Sequence, residues 1–242
     1  MTIARAAAFD RSGVYELLSL AFLYPDDAVL ARLRDATGRL LGDASSAHGE
    51  LLAESVTGLA EIVDSIGRER AESEYVDVFG HTISTDCPAY EAEYGQAHAF
   101  QKSQTLAELN MFYDAFGVAP NPALKERADH ISVEMDFMHF LTLKEEYARA
   151  SGHGDDKVGL CRQAQESFLA NHLANWIRVF TSGLATRSAG SELYSTLARV
   201  TEQFMASEFE EFELAPTPLA LTGSAENKWD DSACEVPPQE VG

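Results

Sequence analysis

The chain has few basic residues, few cysteines and unevenly spaced prolines, and each scarcity excludes something. Across 242 residues, 18 Lys and Arg face 39 Asp and Glu, giving a net charge of −21. A surface that negative repels phosphate backbones, so nucleic acid is not an expected partner. It attracts cationic peptides within the roughly 8 Å that physiological salt leaves unscreened; the same excess also serves solubility. Cys87, Cys161 and Cys234 are the only cysteines. They are far apart and form no CxxC, which argues against a disulfide framework or a zinc knuckle and suits a reducing compartment. Residues 1–10 carry no cleavable signal pattern. The longest nearly apolar run, residues 14–24, is interrupted by Glu16 and Ser19 and falls short of the about 20 residues a bilayer-spanning helix needs. The expected location is the cytoplasm, without stable membrane insertion. No GxGxxG, GK[ST] or GxSxG occurs, which removes the usual support for nucleotide binding and serine hydrolysis.

The eight prolines, Pro25, Pro88, Pro120, Pro122, Pro216, Pro218, Pro237 and Pro238, leave two long proline-free stretches. Such stretches suit helices, because an interior proline costs a helix about 3 kcal/mol. Apolar spacing agrees. Val14, Leu17, Leu18, Ala21 and Phe22 form one helical stripe, and Leu106, Leu109, Phe112 or Tyr113, and Phe116 a second. Leu124, Ala128, Ile131, Met135, Met138 and Leu141 form a third. Leu160 to Phe180 by way of Phe168 and Trp176, and Leu193 to Phe212, supply two more. Further helices are expected at 27–41, 49–66 and 68–79. Gly117 marks a helix stop, and Asn121–Pro122 marks a cap with proline at the first helical position. The expected fold is all-α: a single-domain helical bundle of about eight or more helices over residues 8–214, with a long ordered loop near 80–100. Residues 215–242 hold four prolines and five acids and are expected to form a disordered tail.

Metal chemistry has one opening. Asp136 and His139 stand at i, i+3, and His130 and Glu134 at i, i+4. Helical di-metal bundles use two acid-x-x-His elements, and no second one occurs here. No metal ligand, catalytic residue or tightly bound cofactor is assigned. An enzyme using Glu134, Asp136 and His139 is the alternative; as plain helix-face polar groups, Glu134 and His139 need no ligand.

Residues 126–138, ERADHISVEMDFM, carry a Glu, an Asp-His pair and a second Glu before an apolar run. In this they resemble the signature of the TorD/DmsD family of redox-enzyme maturation chaperones. Five other pieces follow that family's order: RSGVYELLSLAFLYP at 11–25, EYVDVF at 74–79, PAYEAEY at 88–94, FYDAFG at 112–117 and FLANHLANW at 168–176. The likeness spans residues 11–212. Ala92 stands where the family usually has serine, and Arg127 where one branch has proline.

The resemblance implies a non-enzymatic chaperone for molybdenum enzymes. Its partner would be the apo catalytic subunit of a molybdopterin-containing oxidoreductase, held by its twin-arginine leader while cofactor is inserted before export. A receptor for two guanidinium groups and an apolar segment needs carboxylates beside an apolar groove. Asp129, Glu126 and Glu91 are candidates for the charge, and Tyr75, Val78, Phe79, Tyr90 and Tyr94 for the wall, where aromatic faces also accept arginine. His130, if it titrates near neutrality, would modulate that charge, and the Asp129–His130 pair is expected to be exposed. Other roles stay open. Tyr75, Val78 and Phe79 have the spacing of core residues, Glu126 and Asp129 would suit a helix N-terminus, and His172 and Trp176 suit structural roles.

Overall fold

The computed structural model describes residues 10–43, 50–80, 83–84, 86–95, 99–216 and 219. Nine α-helices lie among them: α1 (Arg11–Ala21), α2 (Asp27–Asp43), α3 (Glu50–Ser65), α4 (Arg68–Phe79), α5 (Ala99–Ala115), α6 (Ile131–Ala150), α7 (Asp155–Phe168), α8 (Ala174–Arg187) and α9 (Glu192–Glu211). They form one all-α bundle around one continuous apolar core.

Helix α1 is the central post, packed against α2, α6 and α9. Its run of residues that fell short of a membrane span is apolar nearly all round, and a helix of that kind belongs in a protein interior. Val14, Tyr15, Leu17 and Leu18 are fully buried. Asp10 starts the helix by accepting from the Ser12 amide at 3.0 Å, one of the four amides a helix start leaves unpaired. At Gly13 a Cβ would lie 2.8 Å from Leu40 Cδ2, so glycine permits the close approach of α2. No described helix is long and apolar enough to cross a membrane.

The α2–α3 pair closes through Arg34, which donates to the carbonyls of Val63 and Ile66 at the end of α3, both at 3.1 Å. Helix α7 runs into α8 without a break through a π-turn, Leu169–Leu173. The residue a π-turn adds rotates the following face, and Leu169, His172, Leu173 and Trp176 are all buried as a result. Phe180 of α8 then meets Phe22 at 5.3 Å and Trp176 at 5.3 Å. Burying a side chain of that size contributes about 1.5–3 kcal/mol.

One ion cluster ties four helices together. Arg11 donates from Nε and Nη2 to both Glu208 oxygens at 2.6 Å, and Tyr15 donates to Glu208 at 2.7 Å. Arg11 also reaches Gln165 at 2.9 Å, and Gln165 in turn donates to Glu145 at 2.8 Å.

The expected helix stop at Gly117 is present, with φ 69°. The helix expected to begin near Pro122 does not. Pro122–Leu124 makes a single 3-10 turn and Lys125 turns left-handed at φ 57°. Helix α6 starts only at Ile131, capped by His130, whose ring nitrogen accepts from the Ser132 amide. Leu124 and Ala128 pack against the core from outside any α-helix. The 80–100 loop is described at 83–84 and 86–95, and His81 lies outside the described residues. So does nearly all of the 215–242 tail, apart from residues 215, 216 and 219. Of that tail, the Leu219 amide donates to the Asn175 carbonyl at 2.6 Å.

Glu208→Ala is expected to cost about 3–5 kcal/mol, because it strands the mostly buried Arg11 guanidinium and the Tyr15 hydroxyl. Arg39→Ala, which removes an exposed pair with Glu16, should cost no more than about 1 kcal/mol. Urea unfolding of both variants checks the contrast; equal losses would contradict it.

Candidate peptide-binding site

A groove of about 400 Å³ opens between the end of α4 and the 83–90 loop. Tyr75, Phe79 and Ile83 line it with Tyr24, Tyr90, Glu126 and His130. Helical spacing alone carries two of its walls, since residues i and i+4 share a face: Tyr75 and Phe79 are 4.9 Å apart, ring to ring. Tyr24, three residues after α1, extends the row at 5.3 Å from Tyr75. Tyr24 and Ile83 are each 46% exposed, so the groove offers apolar surface to solvent. Burial, reinforced by the charge of Glu126, pushes the Tyr75 hydroxyl up to about 12.

The loop is fastened to the start of α6 by a short antiparallel bridge between Tyr90 and His130. The Glu91 amide donates to the Asp129 carbonyl and the Ile131 amide to the Ala89 carbonyl, each at 2.9 Å. Asp129 adds its side chain, accepting from the Ala92 amide at 3.1 Å. Arg127 forks onto the same carboxylate at 2.9 and 2.6 Å.

The nine residues singled out in the sequence therefore separate. Tyr75, Phe79, Tyr90, Glu126 and His130 line the groove; Val78, Glu91, Tyr94 and Asp129 do not. Val78 is core, as its spacing allowed. The Tyr94 hydroxyl is buried and donates to the Pro88 carbonyl at 2.9 Å. Glu91 turns inward, with both oxygens near His172 Nδ1 at 3.2 and 3.1 Å. Burial raises its carboxyl, and the nearby His172 opposes that rise.

The expected exposure of the Asp129–His130 pair is corrected: Asp129 is 0% and His130 1% exposed. Titration of His130 near neutrality is corrected too. Burial, followed by the positive charge of Arg127, pulls its imidazole down to about 3. With Nδ1 accepting from the Ser132 amide at 3.2 Å, the ring proton belongs on Nε2, which faces Glu126 at 3.8 Å. Glu126 is the carboxylate left at the lip. Its side chain is 19% exposed, and it accepts from the Tyr90 hydroxyl at 2.9 Å. Burial and this bond to Glu126 hold the Tyr90 hydroxyl well above its ordinary range.

The nitrate reductase delta subunit family matches residues 47–182, more than half of the chain. The chain belongs to this family. The TorD/DmsD resemblance holds with it. The perchlorate reductase assembly chaperone protein of Dechloromonas aromatica (strain RCB) is 28% identical over 214 residues, covering 84% of this chain and 91% of the relative. The selenate reductase assembly chaperone protein of Thauera selenatis is 28% identical over 189 residues, covering 78% and 84%. The chaperone protein TorD of Vibrio cholerae serotype O1 (strain M66-2) is 24% identical over 195 residues, covering 78% and 85%. The matched family span contains α4, the loop and the start of α6, all the parts that build the groove except Tyr24.

Those relatives give the enzyme alternative no support, and neither does the geometry. Glu134 is fully buried and accepts from Trp176 Nε1 at 3.3 Å, while His139 Nδ1 is 2.8 Å from the Ser12 carbonyl. Asp136 borders a separate small cavity beside Phe137 and Phe140. No group of three His, Cys, Asp or Glu among the described residues could hold a metal ion. Burial, then the charges of Glu91 and Asp129, raises the Glu134 carboxyl well above its usual range.

Tyr24 lies in the family-like stretch 11–25 but was not singled out, and Ile83 lies in no motif. The position of Tyr24 before Pro25 and the place of Ile83 inside the long loop were the only signals for them.

His130→Asn keeps a competent helix cap and removes the buried imidazole. With a folded-state value near 3, below the unfolded 6.5, His130 costs stability as pH falls. The loss begins below the unfolded value and grows by about 1.4 kcal/mol per pH unit until the folded value is reached. Between about pH 5.5 and 4, the wild type should lose that much more per unit than the variant in urea titrations. Parallel pH profiles would contradict a neutral buried His130.

Proposed function

We propose that this chain is a cytoplasmic, non-enzymatic chaperone. It binds the apo catalytic subunit of a molybdopterin-containing oxidoreductase by its twin-arginine leader and assists cofactor insertion and assembly before export. The observation that carries the reading is the groove: a row of aromatic rings ending at a carboxylate that is not fully buried and, among the described residues, is tied to no Lys or Arg. The names of the relatives, assembly chaperones of perchlorate and selenate reductases, point to the same class of partner.

A leader peptide matches those features. Its guanidinium meets Glu126 beside the Tyr90 hydroxyl, and a charge-assisted hydrogen bond of that type contributes about 1.5–3 kcal/mol. The apolar stretch after the arginines lies along Tyr24, Tyr75, Phe79 and Ile83, displacing water from exposed rings. The net charge of −21 draws a cationic leader in and adds to the association rate more than to affinity. Asp129 and His130 act from beneath, holding the loop that carries Tyr90.

Calorimetry with a synthetic leader peptide, two arginines followed by a leucine-rich segment, tests this. Glu126→Gln and Ile83→Asp should each weaken binding about tenfold or more, which corresponds to roughly 1.4 kcal/mol, with melting temperatures unchanged. Wild-type affinity in both folded variants would overturn the assignment of the groove. Affinity purification from the native host should bring down a molybdenum-enzyme subunit.

A further inference from the structure

The cation site that the acids of the 126–130 segment would offer a ligand is already filled by the chain itself. The Arg127 guanidinium makes its two-pronged contact with Asp129, lies 3.4 Å from Glu93 Oε1, and stacks over the Tyr90 ring at 4.6 Å from the ring centre. Its side chain keeps 37% exposure while the carboxylate beneath has none. Arg127 thus sits over Asp129 as a plug open to solvent. No helix compels this arrangement, and Glu93, the second carboxylate partner of Arg127, also pairs with Lys102 at 2.6 Å. Arg127 lies in the irregular stretch before α6, and it reaches a residue only two positions along. The groove begins on the same Tyr90, whose hydroxyl holds Glu126.

We propose that Arg127 occupies an arginine-recognition slot in the free protein and competes with the second guanidinium of an incoming Arg-Arg peptide, so that it sets how tightly such peptides bind. The inference rests on the peptide-binding reading of the groove. One arginine of a pair meets Glu126 at the lip. The next can reach the Asp129 carboxylate, with Glu93 beside it, by displacing Arg127. The exchange replaces one planar fork with an identical one, so both Asp129 bonds and the stacking are kept. The free chain loses only its own side chain's hold, and an ammonium group cannot reproduce the fork. Pre-filling the slot discriminates against peptides with a single arginine, which gain nothing from opening it.

Calorimetry on Arg127→Ala and Arg127→Lys, with Arg-Arg, Arg-Lys and Lys-Lys versions of the leader peptide, tests the competition. Arg127→Ala should bind the Arg-Arg peptide at least tenfold more tightly than wild type. The Lys-Lys peptide should gain little, and Arg127→Lys should lie between wild type and Arg127→Ala. Unchanged or weaker Arg-Arg binding in the folded variants, or an equal gain for Lys-Lys, would overturn the proposal. A second measurement does not depend on any peptide: millimolar guanidinium should raise the melting temperature of Arg127→Ala and not that of wild type. If no leader peptide binds wild type or variants yet guanidinium protects Arg127→Ala, the slot stands and the leader-binding function fails. If Arg127→Ala does not fold, the same peptide comparison in Arg127→Lys decides. Absence of protection in a folded Arg127→Ala overturns the slot.

Discussion

The antiparallel bridge between Tyr90 and His130 is the contact on which the groove depends. It joins a loop whose only regular piece among the described residues is the 3-10 turn Glu91–Glu93 to the first turn of α6, using two backbone bonds and the Asp129 carboxylate. Without it Tyr90 would have no fixed position, Glu126 would lose the hydroxyl that orients it, and the groove would lose one wall. The bridge also aims Glu91 inward at His172, next to the π-turn between α7 and α8. The loop is thereby held from both sides, by α6 and by the α7–α8 helix.

This geometry divides the acidic residues by role. Asp129, Glu91 and Glu134 lie inside, where a charge is tolerated only with partners. Asp129 has Arg127 and the Ala92 amide. Glu91 has His172. Glu134 has Trp176, and its carboxyl is displaced toward the protonated form by burial and then by its acid neighbours. Glu126 alone of the four meets both groove and solvent. In the free protein the Asp-His pair that marks the family in sequence is thus an internal fastening: it holds the loop from below, while Glu126 and the aromatic row line the groove.

Much of the fold was legible because helices are local. Stripes such as Val14–Leu17–Leu18 and the glycine stop at Gly117 state their structure within a few residues. The π-turn was hidden because Leu169, Leu173 and Trp176 also suit an unbroken α-helix, so only the packing shows the inserted residue. The start of α6 was misleading for a related reason. Leu124 and Ala128 have helical spacing with Ile131, but Lys125 turns left-handed without a glycine to announce it. In the site, the side-chain pair Tyr75 and Phe79 was visible in sequence, whereas Val78, one residue away, faces the core. The burial of Asp129 and His130 was not visible. Their partners are a backbone amide from a distant loop and a neighbouring arginine whose direction depends on the irregular backbone around it.

Amide hydrogen exchange on Asp129→Ala tests most directly whether Asp129 fastens the loop from beneath. The variant should show faster exchange at Ala92 and its loop neighbours, unaltered protection in α1 and α9, and weaker leader binding. Loop amides as protected as in wild type would contradict it, because the loop would then hold without the Asp129 carboxylate.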